Sequence, residues 1–393
     1  MHDSPASHRL PDELIIAIFS YTETLDASDL YQLCLVSRRF LSTAQQSLYR
    51  DLVFDVTSLG RDHLPFYVEY CVEDWQLVRT LEKEPNLGRL VRSVVFSQVE
   101  LEEVQDANRR EGSGVKCRDF ELVLKVLEIA PGIKEIEFSG TWYGLFDSIS
   151  DMQDLEKLDV ENANQHELVR MSETFPRLKH YKFHHLNNNR PRPLATFPCL
   201  EILEVKDSFV LPDEIRPLLV ATSTTLRTLS LSLEILLDLD FSEFPFLQTL
   251  HIGHFYSEPQ GHNLPDRFDR FFDSISKIPR LDTLSFDPEP FSSRYESLLF
   301  PNKRHWKDPW TAPIPSRPLL RGLKFLRFVN DVSLTRIVRI LNDSWSANVE
   351  KIFVLPDFDE SDDGYDMTLD GLRGILKPRK IELVFDESLI FCM

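Results

Sequence analysis

The sequence predicts an α/β fold, in which a small N-terminal helical module precedes a solenoid with an irregular, curved and mainly parallel sheet. Two observations predict it. The first fifty residues place apolar side chains at helical spacing. From residue 91 onward a short motif, in which three apolar residues are separated by two residues and then by one, recurs eleven times. Because each unit can bury its apolar side only against a neighbour, the copies should stack into one continuous core.

The composition limits the classes of function. The chain has 393 residues, of which 42% are hydrophobic and 27% are charged, as in soluble globular proteins. Its formal net charge of -19 argues against nucleic acid as a partner, because phosphate backbones are bound by clustered Lys and Arg. Five scattered cysteines favour a reducing compartment, and no stretch reaches the roughly 20 apolar residues of a membrane helix. The expected location is cytoplasmic and/or nuclear, with no membrane partner.

The N-terminal helical module is expected at residues 10–52, after a flexible segment at residues 1–9. Leu10-Pro11-Asp12-Glu13 is typical of a helix start, since proline suits the first helical position and acids suit the positive end of the dipole. Two apolar series follow at spacings of three and four residues: Leu14, Ile15, Ile18 and Phe19, then Leu30, Leu33, Val36, Phe40, Ala44 and Leu48. A piece of about 43 residues has little interior, so some of this apolar surface should meet another protein.

The order and spacing of these residues resemble an F-box. The resemblance rests on Leu10-Pro11-x-Glu13-Leu14-x-x-x-Ile18, Asp29-Leu30, Leu35-Val36-Ser37-Arg38-Arg39-Phe40 and Leu48-Tyr49-Arg50, whose ending is similar to fungal members. It implies docking to the Skp-family adaptor of a cullin-RING ubiquitin ligase. The adaptor contacts that it implies are Leu10, Pro11, Leu14, Ile15, Ile18, Leu30, Leu33, Val36 and Phe40. The alternative is that these helices only cap the solenoid, and both roles are compatible.

The solenoid is expected at residues 91–393, after a helical linker or cap at residues 53–90. Its copies are Val91/Val94/Phe96, Ile133/Ile136/Phe138, Leu155/Leu158/Val160, Leu178/Tyr181/Phe183, Leu200/Leu203/Val205, Leu226/Leu229/Leu231, Leu247/Leu250/Ile252, Leu281/Leu284/Phe286, Leu323/Leu326/Phe328, Val349/Ile352/Val354 and a weak Pro378/Ile381/Leu383. The shorter intervals match those of leucine-rich repeats. The longer intervals predict insertions near residues 100–118, 253–278 and 287–319.

Prolines and helical spacing complete the predicted repeat. Five copies carry a proline two residues before the motif: Pro131, Pro176, Pro198, Pro245 and Pro279. Proline ends a helix and favours extended backbone, so a helix, a turn and a strand should follow one another. The motifs are similar to leucine-rich repeats only in the strand half, because the asparagine that normally follows the strand is mostly missing, which predicts irregular stacking. The alternative is an ordinary α/β domain with coincidental spacing.

Residues that alternate with the apolar positions should face the open side of the sheet, where solenoids bind partners. The candidate target contacts are Glu137, Asp159, Lys182, Glu204, His251, Arg327 and Phe353. Their mixed charge gives no single chemical signature, so the expected protein target stays unnamed. An acidic run at residues 357–366 and the proline-rich stretch 291–318 are expected to be loops.

No catalytic signature is present: the chain lacks a phosphate-binding glycine loop, Gly-x-Ser-x-Gly and His-Glu-x-x-His. The histidines near residues 180 and 251 are too widely spaced along their strands for a metal site. We therefore expect no catalytic residue, no metal, no cofactor and no enzymatic activity. The sequence predicts a substrate-recognition subunit of an SCF-type ubiquitin ligase. The alternative is a non-degradative interaction scaffold, and an undetected hydrolase or transferase is a third possibility.

Overall fold

The computed structural model describes residues 32, 38–55, 67–100, 118–141, 149, 152–164, 175–184, 186–187, 197–206, 212–253, 264–286, 320–328, 337, 341, 346–354 and 369–385. The chain forms two compact units, residues 1–159 and 160–393. Each unit is described by itself. The predicted insertions near 100–118 and 287–319 and the acidic run at 357–366 fall almost entirely outside the described residues.

The first unit alternates helices with parallel strands. Its elements are α1 (Arg38–Leu48), β1 (Asp51–Asp55), α2 (Tyr67–Lys83), α3 (Pro85–Gly88), β2 (Ser93–Glu100), α4 (Arg118–Ile129), β3 (Glu135–Thr141) and the start of β4 (Lys157–Asn164). β1 pairs in parallel with β2, and β2 with β3. One irregularity interrupts the second pairing between Phe96 and Val99.

The second unit repeats the same arrangement. Its elements after β4 are β5 (His180–His184), β6 (Leu186–Asn187), β7 (Ile202–Lys206), α5 (Pro212–Thr222), β8 (Thr228–Ser232), α6 (Leu233–Leu236), a 3-10 helix (Phe241–Glu243), β9 (Thr249–Gly253), α7 (Leu264–Ile275), β10 (Thr283–Phe286), β11 (Phe325–Phe328), β12 (Lys351–Val354), α8 (Leu369–Arg379) and β13 (Glu382–Phe385). The strands lie in the order β5-β7-β8-β9-β10-β11-β12-β13, and β6 pairs with the end of β4. The predicted fold class is confirmed as an open, parallel, solenoid-like α/β fold.

The sequence motif identifies the core. The first two apolar positions of the first ten copies are all buried, from Val91 and Val94 to Val349 and Ile352. Successive copies pair position by position, as Leu229 with Leu250 and Leu250 with Leu284. Successive side chains of a strand point to opposite faces of the sheet. This register therefore aligns each apolar position of the motif into a row across the strands, and these rows lie on the same face.

Prolines and helices also lie where the sequence places them. Pro176 and Pro198 occupy turns closed by hydrogen bonds from the N–H of Leu178 to the carbonyl of Phe175 and from Leu200 to Phe197. Proline suits this second turn position because its φ is already fixed near the required value. Helices α4 and α7 precede the motifs that begin at Ile133 and Leu281, in the predicted order of helix, turn and strand. The segment near 253–278 is therefore partly an ordered helix of the repeat.

The final copy was predicted two residues out of register. Leu383 pairs with Ile352 and Phe385 with Val354, so the last motif is Lys380/Leu383/Phe385 and not Pro378/Ile381/Leu383. α8 continues through Pro378. Lys380 then has a φ of 58°, and the Ile381 N–H bonds back to the Leu376 carbonyl, as in a Schellman helix ending. The polar first position hid this motif.

A further copy precedes the eleven predicted ones. β1 carries Leu52 and Phe54, which are 6% and 0% exposed, and these pair with Val94 and Phe96. Tyr49/Leu52/Phe54 has the same spacing as the other motifs. The assignment of residues 10–52 to a helical module concealed this strand.

Backbone hydrogen bonds hold neighbouring strand starts together without the missing asparagines. The carbonyl of the residue before one strand accepts both N–H groups at the start of the next, as the Arg227 carbonyl does from Gln248 and Thr249. The Glu201 and Asp282 carbonyls repeat the pattern. These bonds lie at the strand starts, whereas the missing asparagines would follow the strands, so the expected irregular stacking stays a prediction.

Close approach of two turns requires glycine at residue 322. A Cβ there would lie 2.7 Å from the Leu281 carbonyl oxygen, whereas a Cβ at Gly374 in α8 would meet nothing within 4 Å. We expect Gly322→Ala to lower the free energy of unfolding by about 1–3 kcal/mol through overpacking. The matched Gly374→Ala should raise it by about 0.5–1 kcal/mol, because alanine favours a helix interior. Urea denaturation followed by circular dichroism measures both, and equal effects would contradict this account of Gly322.

A carboxylate cap gives the second unit a pH-dependent contribution to stability. The Asp240 carboxylate accepts the Ser242 N–H at 3.0 Å and the Ser274 hydroxyl at 3.3 Å. These bonds, that of the Ser242 N–H first, hold the Asp240 pKa below its ordinary value of 3.8. A depressed carboxylate pKa stabilises the fold above the unfolded pKa, and this contribution is lost as the pH falls through the folded pKa.

Asp240→Ala is therefore expected to cost about 1 kcal/mol at neutral pH, the usual value of a lost cap. The cost should shrink as the pH drops below 3.8. Asp240→Asn is the control, since its amide oxygen still caps but does not titrate. Thermal unfolding between neutral pH and pH 2 measures the three profiles, and a cost for Asp240→Ala that does not change with pH would contradict the role of the carboxylate.

Candidate protein-interaction sites

The candidate adaptor surface lies almost wholly outside the described residues. Leu10, Pro11, Leu14, Ile15, Ile18, Leu30, Leu33 and Val36 fall there, and Phe40 lies in α1. Their assignment as adaptor contacts stays a prediction. What the structure describes of the helical module is its end, from α1 to β1.

α1 runs directly into the sheet of the first unit. The Tyr49 N–H closes the helix on the Gln45 carbonyl at 3.0 Å, and the neighbouring Arg50 carbonyl accepts the N–H groups of Arg92 and Ser93 at 2.7 and 3.1 Å. The Phe54 ring then stacks on Phe96 with centroids 5.5 Å apart. The last described helix of the module therefore leads directly into a strand of the sheet, and the helical linker or cap expected at residues 53–90 stays a prediction.

The candidate target residues of the second unit form one row. The register pairs Ser230 with His251, His251 with Ser285, Ser285 with Arg327, and Arg327 with Phe353. Lys182 and Glu204 are paired in the same way on β5 and β7, and Glu204 with Ser230. The structure thus brings together five of the seven predicted contacts: Lys182, Glu204, His251, Arg327 and Phe353.

Glu137 and Asp159, the other two predicted contacts, belong to the first unit. Glu137 is partly buried on β3, and Asp159 on β4 is only 5% exposed. Asp159 also has an interaction with other groups. The alternating pattern did not predict this burial. The pattern gives the face of the strand on which a side chain lies, but not the groups that pack beside that side chain.

The middle of the second unit's open face is uncharged. Six residues form two rows across β8, β9 and β10 on this face. We name them the hydroxyl tract: Thr228, Ser230, Thr249, His251, Thr283 and Ser285. Ser230 and Ser285 are each 4% exposed and Thr283 is 8% exposed, because short side chains lie below their neighbours. Sequence reasoning named His251 as a candidate contact but missed Thr228, Thr249 and Thr283, because threonine carries no distinctive signal.

The hydroxyl tract contains a close serine–histidine contact. His251 Nδ1 lies 2.8 Å from Ser285 Oγ, the distance between a nucleophile and its general base. Nucleophilic catalysis also needs an accessible hydroxyl, and Ser285 is almost fully buried. The contact therefore satisfies a buried hydroxyl and orients the imidazole on the face.

Charged and aromatic side chains flank the hydroxyl tract. On β5 and β7, His180 Nε2 lies 3.3 Å from Glu204 Oε1, a close contact that becomes an ion pair only when the imidazole is protonated. On β11 and β12, the Arg327 guanidinium lies 5.0 Å from the centroid of Phe353, whose ring meets Phe325 edge-on at 6.2 Å. We name Phe325, Arg327 and Phe353 the arginine–aromatic shelf.

Within the described ranges, no group of three or more His, Cys, Asp or Glu residues could hold a metal ion. No helix among the same residues is long and apolar enough to cross a membrane. The groups on the open face are suited to hydrogen bonding, stacking and ion pairing with a partner.

Residues 7–55 match the family model described as F-box-like. No curated protein matches the chain. The chain thus combines an F-box-like domain with a parallel, solenoid-like α/β fold. The match supports a role as an adaptor-binding F-box protein. It ends at Asp55, the last residue of β1, so the F-box-like domain includes one strand of the sheet.

Proposed function

We propose that this protein is a substrate-recognition subunit of an SCF-type ubiquitin ligase. Its F-box-like domain docks to a Skp-family adaptor and, through it, to a cullin-RING ligase. The open sheet face of the second unit binds the target protein. The observation that carries the proposal is the F-box-like match at residues 7–55 on a chain whose remaining strands form an open parallel sheet.

The role assigned to the chain is positioning and not chemistry. An F-box-like domain supplies a docking surface, and the open face offers hydroxyl, imidazole, guanidinium and aromatic groups, which bind a protein well. Aromatic and arginine side chains are enriched among the residues that dominate binding energy. Ubiquitin transfer itself belongs to other subunits of the ligase.

Adaptor binding is tested by replacing predicted anchors in the full chain. We expect Leu14→Ala with Val36→Ala to weaken binding to a purified Skp-family adaptor by about 2 kcal/mol or more, the usual effect of removing buried apolar anchors. The measurement is co-purification followed by titration calorimetry. Val220→Ala is the control, because Val220 lies on α5 of the second unit and is 52% exposed. Unchanged adaptor binding in the double variant would refute the docking assignment.

The alternative function is a non-degradative scaffold that binds its partner without ubiquitin transfer. It shares the open face, so binding alone does not separate the two. Target turnover does. A receptor predicts that removing this protein prolongs the half-life of its bound partner, and a scaffold predicts an unchanged half-life.

A further inference from the structure

The arginine–aromatic shelf presents a cation, Arg327, that a neighbouring aromatic ring holds in place. Arg327 is exposed, and its guanidinium is oriented by the Phe353 ring. Among the described residues no carboxylate pairs with it, whereas Lys351 on the next strand lies 2.7 Å from Glu382. The chain has 63 acidic and 44 basic residues. In a chain with this excess of acids, an arginine on the open face that pairs with no described carboxylate is unusual.

The surroundings of Arg327 define what fits there. Phe325 and Phe353 on either side are only partly buried, which leaves ring surface for an apolar side chain. Aromatic and arginine side chains are typical of the residues that dominate protein interfaces. A ligand for the shelf therefore needs an apolar group next to an anion.

The hydroxyl tract extends this site along the row. Ser285 is the register partner of Arg327, and His251 and Ser230 continue the row toward β8. From β8 to β12 the row spans four strand spacings, roughly 19 Å, which about six extended residues cover. The short, buried serines leave room for a peptide backbone, and the half-buried Thr228, Thr249 and His251 offer it hydrogen bonds.

A carboxylate fits the shelf better than a phosphate does. One guanidinium matches one carboxylate in a two-pronged hydrogen-bonded pair. Phosphopeptide sites use clustered arginines to balance a charge near -2. The adjacent Lys351 is already neutralised by Glu382, so Arg327 is the cation of the shelf that is left for the ligand.

We propose that the shelf and the hydroxyl tract together bind an extended segment of the target protein that carries Asp or Glu close to an apolar residue. The carboxylate pairs with Arg327, the apolar side chain packs on Phe325 and Phe353, and the backbone crosses the hydroxyl tract. This inference rests on the proposed function only in taking the bound protein to be the target of a ligase. The binding chemistry itself does not depend on the adaptor.

The test uses the full chain and four pools of immobilised nonapeptides. Every pool has a fixed leucine or phenylalanine, and two residues away a glutamate, a glutamine, a lysine or a phosphoserine. The intact protein should retain the glutamate pool at least tenfold more than the glutamine pool. Arg327→Glu should abolish this preference and retain the lysine pool instead, and Phe353→Ala should weaken retention of the glutamate pool about tenfold or more.

Lys324→Glu is the matched control, because it makes the same charge change at an exposed residue just before β11. It should behave as the intact protein does. Equal retention of the glutamate and glutamine pools, a preference that survives Arg327→Glu, or its equal loss in Lys324→Glu would overturn the proposal. Stronger retention of the phosphoserine pool would overturn the choice of a carboxylate.

The chain's own acidic run is also tested as an occupant. Neutralising Asp357, Asp359, Glu360, Asp362, Asp363 and Asp366 to the corresponding amides should leave retention of the glutamate pool within about twofold. A tenfold rise would show that these acids occupy the shelf, and would overturn the proposal. Adaptor binding measured on the same samples separates the two proposals, because failure to bind the adaptor with an intact glutamate preference refutes only the ligase role.

Discussion

Replacing Phe96 by alanine is expected to lower the free energy of unfolding of the first unit by about 3–5 kcal/mol, the usual cost of removing a buried phenylalanine ring. Phe96 is 0% exposed, and its ring lies 5.5 Å from Phe54 and 6.2 Å from Phe138. The substitution would leave a cavity between three neighbouring strands. Hydrogen exchange read by mass spectrometry measures the effect, because it reports local opening in each unit separately.

Val53→Ala on the next strand is the matched control. Val53 is 65% exposed, so its loss should change the free energy of unfolding by no more than about 0.5 kcal/mol. An equal effect of Phe96→Ala and Val53→Ala would mean that the aromatic row is not the core of this unit.

Replacing Phe241 by alanine should cost the second unit a similar amount, about 3–5 kcal/mol. Phe241 is fully buried, and its ring meets Phe244 at 5.9 Å and Phe271 at 5.8 Å. Its N–H also bonds to the Ser274 hydroxyl at 2.7 Å, so the ring and the backbone both join the 3-10 helix to α7. Exchange of amides in α7 should rise as this contact is lost.

Phe246→Ala tests the same residue type in an exposed position nearby. Phe246 is 39% exposed, and its ring lies 4.9 Å below the Arg280 guanidinium. Its loss should cost only about 0.5–1 kcal/mol, the value of an exposed cation–π contact. A cost as large as that of Phe241→Ala would contradict the assignment of Phe241 to the core.

In the proposed site, a chain of strong acidic character binds an acidic segment. Its net charge of -19 discourages random association with anions. The Arg327 guanidinium, fixed beside two aromatic rings, is a local positive charge on this acidic chain. This combination would favour a specific segment over the general population of acidic peptides.

The sequence determined the features that depend on local spacing. Apolar residues three and two apart specify which side of each strand is buried, and this predicted the core from Val91 to Ile352. Proline before the motif predicted the turns, since its ring fixes φ wherever it occurs. The F-box-like pattern was legible for the same reason, because all of its residues lie within the short range 7–55.

The tertiary structure decided what depends on neighbours distant in the chain. β1 was missed because residues 10–52 were assigned to a helical module, and its pairing with β2 identifies it as a strand of the sheet. The register of β13 was missed because polar Lys380 occupies the first motif position, and pairing with β12 defines that register. Asp159 and Ser285 are buried only because adjacent strands flank them. Arg327 is oriented by a ring 26 positions away in the chain, a contact that parallel register creates and sequence spacing does not encode. The face on which an alternating side chain lies is thus a local property, whereas its burial and the composition of that face are set by which strands lie side by side.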